Sequence, residues 1–161
     1  MSDIQRGTTP APGEGASVWL LGDLFEVTLA SEDTGGALSM VEEASPPQGG
    51  APPHIHYNEA EAMYVLEGEV EVLVGDRTYR AIAGSFGYYV PKGTLHTFKN
   101  IGTSRSKVVF IYSPGGFERF FLEAGEPASE GSSPPEGEPD LGRIVEIGQK
   151  YGLEIPPPPG Q

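Results

Sequence analysis

The chain has 161 residues, no cysteine, and a formal charge of −13 from 10 basic and 23 acidic side chains. That length suits one domain able to bury a core of its own. The missing cysteine excludes a disulfide framework, a thiolate metal site and a cysteine nucleophile, and so acidic a surface disfavours nucleic acid and anionic lipid.

Residues 1–16 read as a flexible arm. They hold no apolar core of signal-peptide length, and no later run is long enough to cross a bilayer as a helix. A cytoplasmic protein without a membrane partner is the expectation. Glycine (23 residues) and proline (16) then punctuate short runs rich in Val, Tyr and Phe, the pattern of many short strands joined by turns. Strands are expected at 17–21, 24–30 and 37–43, followed by a Pro/Gly-rich loop over 44–53. They resume at 54–56, 62–67 and 69–74. Gly75 and Asp76 make a tight hairpin turn, and further strands follow at 77–81, 86–90, 96–100 and 107–113.

Alternation assigns faces. In 69–74 the valines point one way, and Glu69 and Glu71 point the other, into solvent. In Met63-Tyr64-Val65-Leu66 both faces are apolar, so a cover is expected on both sides, from the N-terminal strands or from the second subunit of a homodimer. Phe117, Phe120 and Phe121 form the stripe of a short helix within 114–125, a plug or lid on the domain. Residues 126–139 are rich in Gly, Pro, Ser and Glu and read as a linker. Asp140 caps a second helix over 141–151, ended by Gly152, before an extended Pro-rich tail.

The three histidines of the chain are His54, His56 and His96. His-x-His puts two imidazoles on one face of a strand. The third lies in Pro91-Lys92-Gly93-Thr94-Leu95-His96, and carboxylates follow closely at Glu59 and Glu61. Imidazole with carboxylate suits one divalent transition metal: iron, nickel, cobalt, manganese, copper or zinc. A serine triad is excluded, because it needs a histidine that this pattern already uses. Gly-x-Ser-x-Gly, a phosphate-binding Lys loop and His-Glu-x-x-His are all missing. Met63, Tyr88 and Phe98 are candidate pocket residues, with Tyr64 and Tyr89 weaker ones; Phe98 shares the parity of His96.

These residues resemble the cupin superfamily. His54, His56, Glu61 and Gly68 fit its first motif, and Gly84, Pro91, Gly93, His96 and Asn100 its second. Two departures stand out. Gln48 occupies the place of the opening glycine, with Gly49 and Gly50 beside it, and one extra residue separates Gly84 from Pro91. The resemblance implies an all-β fold, a single cupin jelly-roll β-barrel over 17–113 with short C-terminal helices. It implies His54, His56, Glu61 and His96 as metal ligands. The interval to Gly68 favours Glu61 over Glu59, which is left as a solvated turn residue.

The runs 50–56, 61–68 and 114–121 are similar to single-domain bacterial relatives of quercetin 2,3-dioxygenase. That likeness implies a metal-dependent dioxygenase that cleaves a flavonol or similar enol-bearing aromatic with O2, releasing carbon monoxide, with Glu61 as catalytic base. The alternatives are a metal-dependent isomerase or decarboxylase of a small oxo-acid, and a small-ligand-binding cupin without catalysis.

Overall fold

A computed structural model describes Gly7 and residues 15–160. Most of the arm expected over 1–16 lies outside the described residues. The strands are β1 (Ser17–Leu20), β2 (Asp23–Leu29), β3 (Ser39–Ser45), β4 (Ile55–His56), β5 (Ala60–Glu67), β6 (Glu69–Val74), β7 (Arg77–Ile82), β8 (Phe86–Val90), β9 (His96–Asn100), β10 (Ser106–Ser113), β11 (Glu126–Pro127) and β12 (Leu153–Glu154). Two helices join them, α1 (Glu118–Ala124) and α2 (Leu141–Lys150). No helix among the described residues is long and apolar enough to cross a membrane.

Seven strands form one sheet in the order β11-β1-β2-β3-β10-β5-β8, and three form a second, β7-β6-β9. β12 and β4 make a separate pair. The sheets face each other across the core. Val70 and Val72 of the small sheet and Val65 and Val108 of the large one are buried there, and Phe98 meets Phe110 with ring centroids 5.6 Å apart. This is an all-β jelly roll, although among the described residues its ladders do not close into the expected barrel.

Alternation holds in β6, where Val70 and Val72 are buried and Glu71 is exposed. In β5 one of the two expected covers is not found. Met63 and Val65 face the core, but the opposite face has no full cover among the described residues: Leu66 is 40% exposed, and Phe86, the edge-on neighbour of Tyr64, is 69% exposed. The N-terminal strands do not cover this face because they extend the same sheet through β3 and do not lie across β5. The third strand also runs two residues further than expected, to Ser45.

The segment expected as a linker, 126–139, is tied down at its start. β11 pairs with β1, and the Trp19 indole N–H donates to Ser132 Oγ at 2.9 Å. A Gly/Pro-rich composition left no periodicity from which a two-residue strand shows. Gln48, at the place of the motif glycine, has φ +69°. An L-residue there pays roughly 1–2 kcal/mol that glycine would not.

The C-terminal elements close one end of the sandwich. Phe117, Phe120 and Phe121 are all buried, and Phe121 stacks on Phe25 with centroids 4.4 Å apart. The Asp140 side chain caps α2 by accepting from the Arg143 amide at 3.0 Å. The Arg143 guanidinium donates to the carbonyls of Ala124 (3.1 Å) and Glu123 (2.8 Å), at the end of α1. Glu118 anchors the start of α1: its carboxylate accepts from the backbone amides of Ser31 (2.7 Å) and Gly116 (2.8 Å).

Burial opposes ionisation of Glu118, but the bonds from Ser31 outweigh it and hold the carboxyl below the usual glutamate range. A group depressed in the folded state stabilises above its unfolded pKa and loses that contribution as pH falls through its folded pKa. Glu118→Gln should therefore lower Tm most at neutral pH, and the gap from wild type should shrink below pH ~4.5. Thermal melts from pH 7 to pH 3 read this directly; a gap that stays constant with pH would show that the carboxylate charge contributes nothing.

Candidate metal centre

His54, His56, Glu61 and His96 come together. Each offers one ligand atom, and these atoms all lie within 4.8 Å of one another. They arrive from three directions. His54 and His56 flank Ile55 at the entry to β4, Glu61 points inward from β5, and His96 opens β9. The backbones of His54 and His96 exchange both hydrogen bonds, N to O at 3.0 Å each way. That bridge sets the two histidines side by side, with ring centroids 4.3 Å apart.

The outer nitrogen of every ring is engaged. His54 Nδ1 lies 2.8 Å from the Pro52 carbonyl, His96 Nδ1 2.9 Å from the Thr94 carbonyl, and His56 Nδ1 2.6 Å from Glu59 Oε1. A carbonyl only accepts, so His54 and His96 carry their proton on Nδ1 and leave Nε2 for the centre. His56 Nε2 and His96 Nε2 lie 3.0 and 3.3 Å from the same atom, Glu61 Oε2. The other Glu61 oxygen accepts the Tyr88 hydroxyl. The donor set fits a divalent transition metal: three imidazoles, each turning one nitrogen toward the centre, one carboxylate, and an outer partner for each ligand.

Without a metal the four groups hold one another electrostatically. Burial drives His54 down to about 3, helped by the nearby His96 and His56. Burial would also lower His56, but its bonds to Glu59 and Glu61 overcome that and lift it to about 9. Burial raises Glu61, and the bonds from His56 and His96 outweigh it, holding the carboxyl well below the ordinary range. Imidazolium at His56 therefore stands where a metal would, and a metal must displace its proton.

The cluster opens on a cavity of about 80 Å³. His54, His56 and Glu61 line it, with walls supplied mainly by Phe25, Phe98, Phe110, Tyr112, Phe117 and Phe121. The edge of Phe117 rests against His56 with centroids 4.2 Å apart. Of the expected pocket residues, Tyr88 and Phe98 line this cavity. Met63 does not. It is fully buried and fills the space beside Gly87, where an added Cβ would come within 2.3 Å of its Cε. Tyr64 and Tyr89 lie on the outer face, and Tyr89 is exposed.

Glu59 also departs from expectation. It is buried and hydrogen-bonded to His56, not solvated in a turn. Its spacing of three from His56 was the available signal, but the parity it shares with Glu61 masked the difference in role. Tyr112, Asp23 and Glu43 also line the cavity without having been singled out by motif. Glu43 shares the parity of the buried Val41, and that marked it as inward-facing.

Residues 41–112 match the Cupin_2 family, described as a cupin domain. Over that span the chain carries a cupin domain. It is 26% identical over 130 residues to quercetin 2,3-dioxygenase of Bacillus subtilis (strain 168), a match covering 79% of this chain and 38% of that protein. The chain thus spans well under half the length of that curated relative. Its fold is similar to KdgF from Halomonas sp. (TM-score 0.62, 19% identity, 71% of this chain and 99% of that one). It is also similar to a predicted oxalate decarboxylase from Thermotoga maritima (TM-score 0.61, 16% identity, 66% and 99%) and to the polyketide cyclase RemF from Streptomyces resistomycificus (TM-score 0.57, 18% identity, 67% and 80%). At those identities the likeness is one of fold alone.

Removing the outer partner of a metal-ligating histidine typically weakens metal binding 10–100-fold. Glu59→Gln should lower divalent-metal affinity by roughly that factor while leaving the far-UV spectrum unchanged. Competition with a chelator of known affinity measures it; an unchanged affinity would mean that Glu59 does not orient His56.

Proposed function

We propose that this cupin is a metal-dependent dioxygenase that cleaves a flavonol or a similar enol-bearing aromatic with O2. The observation that carries the reading is a carboxylate, Glu61, shared between two imidazoles and set at the wall of an otherwise largely apolar, aromatic-lined cavity. The similarity to a protein named quercetin 2,3-dioxygenase supports it. His54, His56, His96 and Glu61 would hold the metal. When bound, the metal would supply Lewis acidity, lowering the pKa of an enol hydroxyl and giving enolate and dioxygen a common template.

The remaining steps belong to the chain. Glu61 would take the enol proton, since its carboxylate lines the cavity beside His54 and His56. Tyr88 holds the other oxygen of Glu61, which limits how the carboxylate can swing as it accepts. Burial, followed by the charge and hydrogen bond of Glu61, pushes the Tyr88 phenol well above its ordinary pKa. It therefore stays protonated as a donor. The aromatic walls hold a flat ring and keep water from the activated substrate.

The size of the cavity favours a second reading. At about 80 Å³ it lies well below the ~300 Å³ at which ligand pockets usually begin. A flavonol requires α1 and the C-terminal segment to move outward. A small oxo-acid needs much less movement, and the same donor set serves an isomerase or decarboxylase that uses no O2. A binding role without turnover uses the same cavity.

Oxygen uptake separates these readings. Protein loaded separately with iron, nickel, cobalt, manganese and copper should consume O2 on addition of quercetin, with equimolar loss of flavonol and release of carbon monoxide. His96→Ala should abolish uptake. Glu61→Gln should lower kcat by 10²–10⁴-fold, the usual contribution of a positioned base. No uptake with any metal would reject the flavonol reading and leave oxygen-independent chemistry or binding.

A further inference from the structure

The cavity holds one phenol that the histidine cluster does not use. β10 alternates, with Val108, Phe110 and Tyr112 buried and facing inward. The β5–β10 register sets Tyr112 directly opposite Glu61. Residues paired in this way have Cβ atoms about 5 Å apart on one face of the sheet. Both side chains enter the cavity from that face, and both line it.

Tyr112 is 2% exposed, and packing alone sets its ring. Phe117 meets it with centroids 5.0 Å apart, Phe110 at 6.2 Å, Phe121 at 6.3 Å and His56 at 5.7 Å. The hydroxyl has no such fixture. Glu61 already accepts from Tyr88 on Oε1 and faces His56 and His96 with Oε2. Glu43 Oε1 accepts from Ser45. Among the described residues no hydrogen bond forms at Tyr112 Oη; burial, first, and then the charges of Glu61 and Glu43 are what act on it. These push the phenol above its ordinary pKa, so it keeps its proton and remains a donor.

The oxygen is also within reach of a ligand. Among the described residues, the side-chain oxygens that are both unpartnered and sealed off are Asp23 Oδ1, Ser39 Oγ and Ser106 Oγ. Tyr112 Oη is unpartnered but not sealed: it keeps accessible surface, and the space that Tyr112 borders is the cavity. A buried donor that opens on a cavity and finds no acceptor in the protein needs an explanation.

We propose that Tyr112 Oη donates to a carbonyl oxygen of the substrate, next to the hydroxyl that meets Glu61. An acceptor at Glu61 and a donor at Tyr112, side by side on neighbouring strands, match a substrate that presents the reverse: a hydroxyl and a carbonyl on adjacent carbons. An enol flanked by a ketone, as in a flavonol, has this pattern, and a simple phenol lacks the carbonyl. The bond fixes which edge of a flat ring faces Glu61, a positioning contribution to any chemistry at that edge. The inference rests on the reading that this cavity is the substrate site, and it holds whether or not O2 is consumed there.

The test uses cyclopentanone and methylenecyclopentane, which are alike in shape, although only the ketone accepts a hydrogen bond. Ligand-observed NMR titration of the full chain gives both affinities. In Tyr112→Phe the ketone should bind about tenfold more weakly, the value of one hydrogen bond. The alkene should bind no more weakly than in the wild type, and Tm should not fall, because no bond within the protein is lost. An unchanged ketone affinity, an equal loss for both ligands, or no binding of either ligand to the wild type would each overturn the proposal. A clearly lowered Tm would show the hydroxyl bonded within the protein and overturn it too. Should the phenylalanine variant fail to fold, the carbonyl stretch of the ketone bound to the wild type decides. A frequency below that in hexane, together with NOEs from the ligand to the Tyr112 ring, supports the donor, and the lack of either sinks it. Ketone discrimination by Tyr112 without oxygen uptake on quercetin would leave this donor standing and remove only the flavonol; oxygen uptake without that discrimination would do the reverse.

Discussion

The site depends on three hydrogen bonds that point away from it. An imidazole on a strand is free to rotate and to carry its proton on either nitrogen. Here Pro52, Glu59 and Thr94 hold the three Nδ1 atoms, so orientation and, at His54 and His96, tautomer are settled before any ligand arrives. Two of the anchors are backbone carbonyls lying two residues before the histidine they hold. The loop conformation therefore acts directly on the ligand geometry. The exchanged backbone bonds between His54 and His96 complete the frame. Preorganisation of this kind removes an entropic cost that would otherwise fall on binding.

The apolar wall gives the few polar groups their weight. Glu61, Tyr88, Asp23 and Glu43 are buried among aromatic side chains, where water screens little. In such surroundings one proton decides the character of a group. Glu61 is driven toward its ionised form by two imidazoles, whereas at Asp23 and Glu43 burial outweighs the bonds they receive and the charge of Arg105, and both carboxyls are pushed up. Four residues along the sheet separate a base from an acid pair. The difference arises entirely from neighbours, since the side-chain chemistry is the same.

The same physics explains what the sequence disclosed. Valines at 70 and 72 alternate with glutamates, and a period of two is visible without any tertiary knowledge. The histidines were legible because only three exist and their spacing is strict. Glu59 was misjudged because its role is set by the distance from His56 Nδ1, which strand parity does not encode. Met63 has the right parity and the wrong depth: it lies beneath Gly87, clear of the cavity. The cover expected over Tyr64 and Leu66 does not come from the N-terminal strands, whose place at the far edge of the sheet is a matter of topology. Ser132 looked like part of a linker until Trp19 supplied a partner from the opposite end of the chain.

One pairing described above ties the site to the order of assembly. β4, which carries His56, has its strand partner in β12, with Leu153 opposite His56. A ligand strand from the first half of the chain thus finds its hydrogen bonds almost a hundred residues later. During synthesis, every other element of the centre exists well before this one is complete. Any loading with metal would then be a late event, coupled to the arrival of the C-terminal segment, and a chain cut before β12 would carry all four candidate ligands yet lack the strand that steadies one of them.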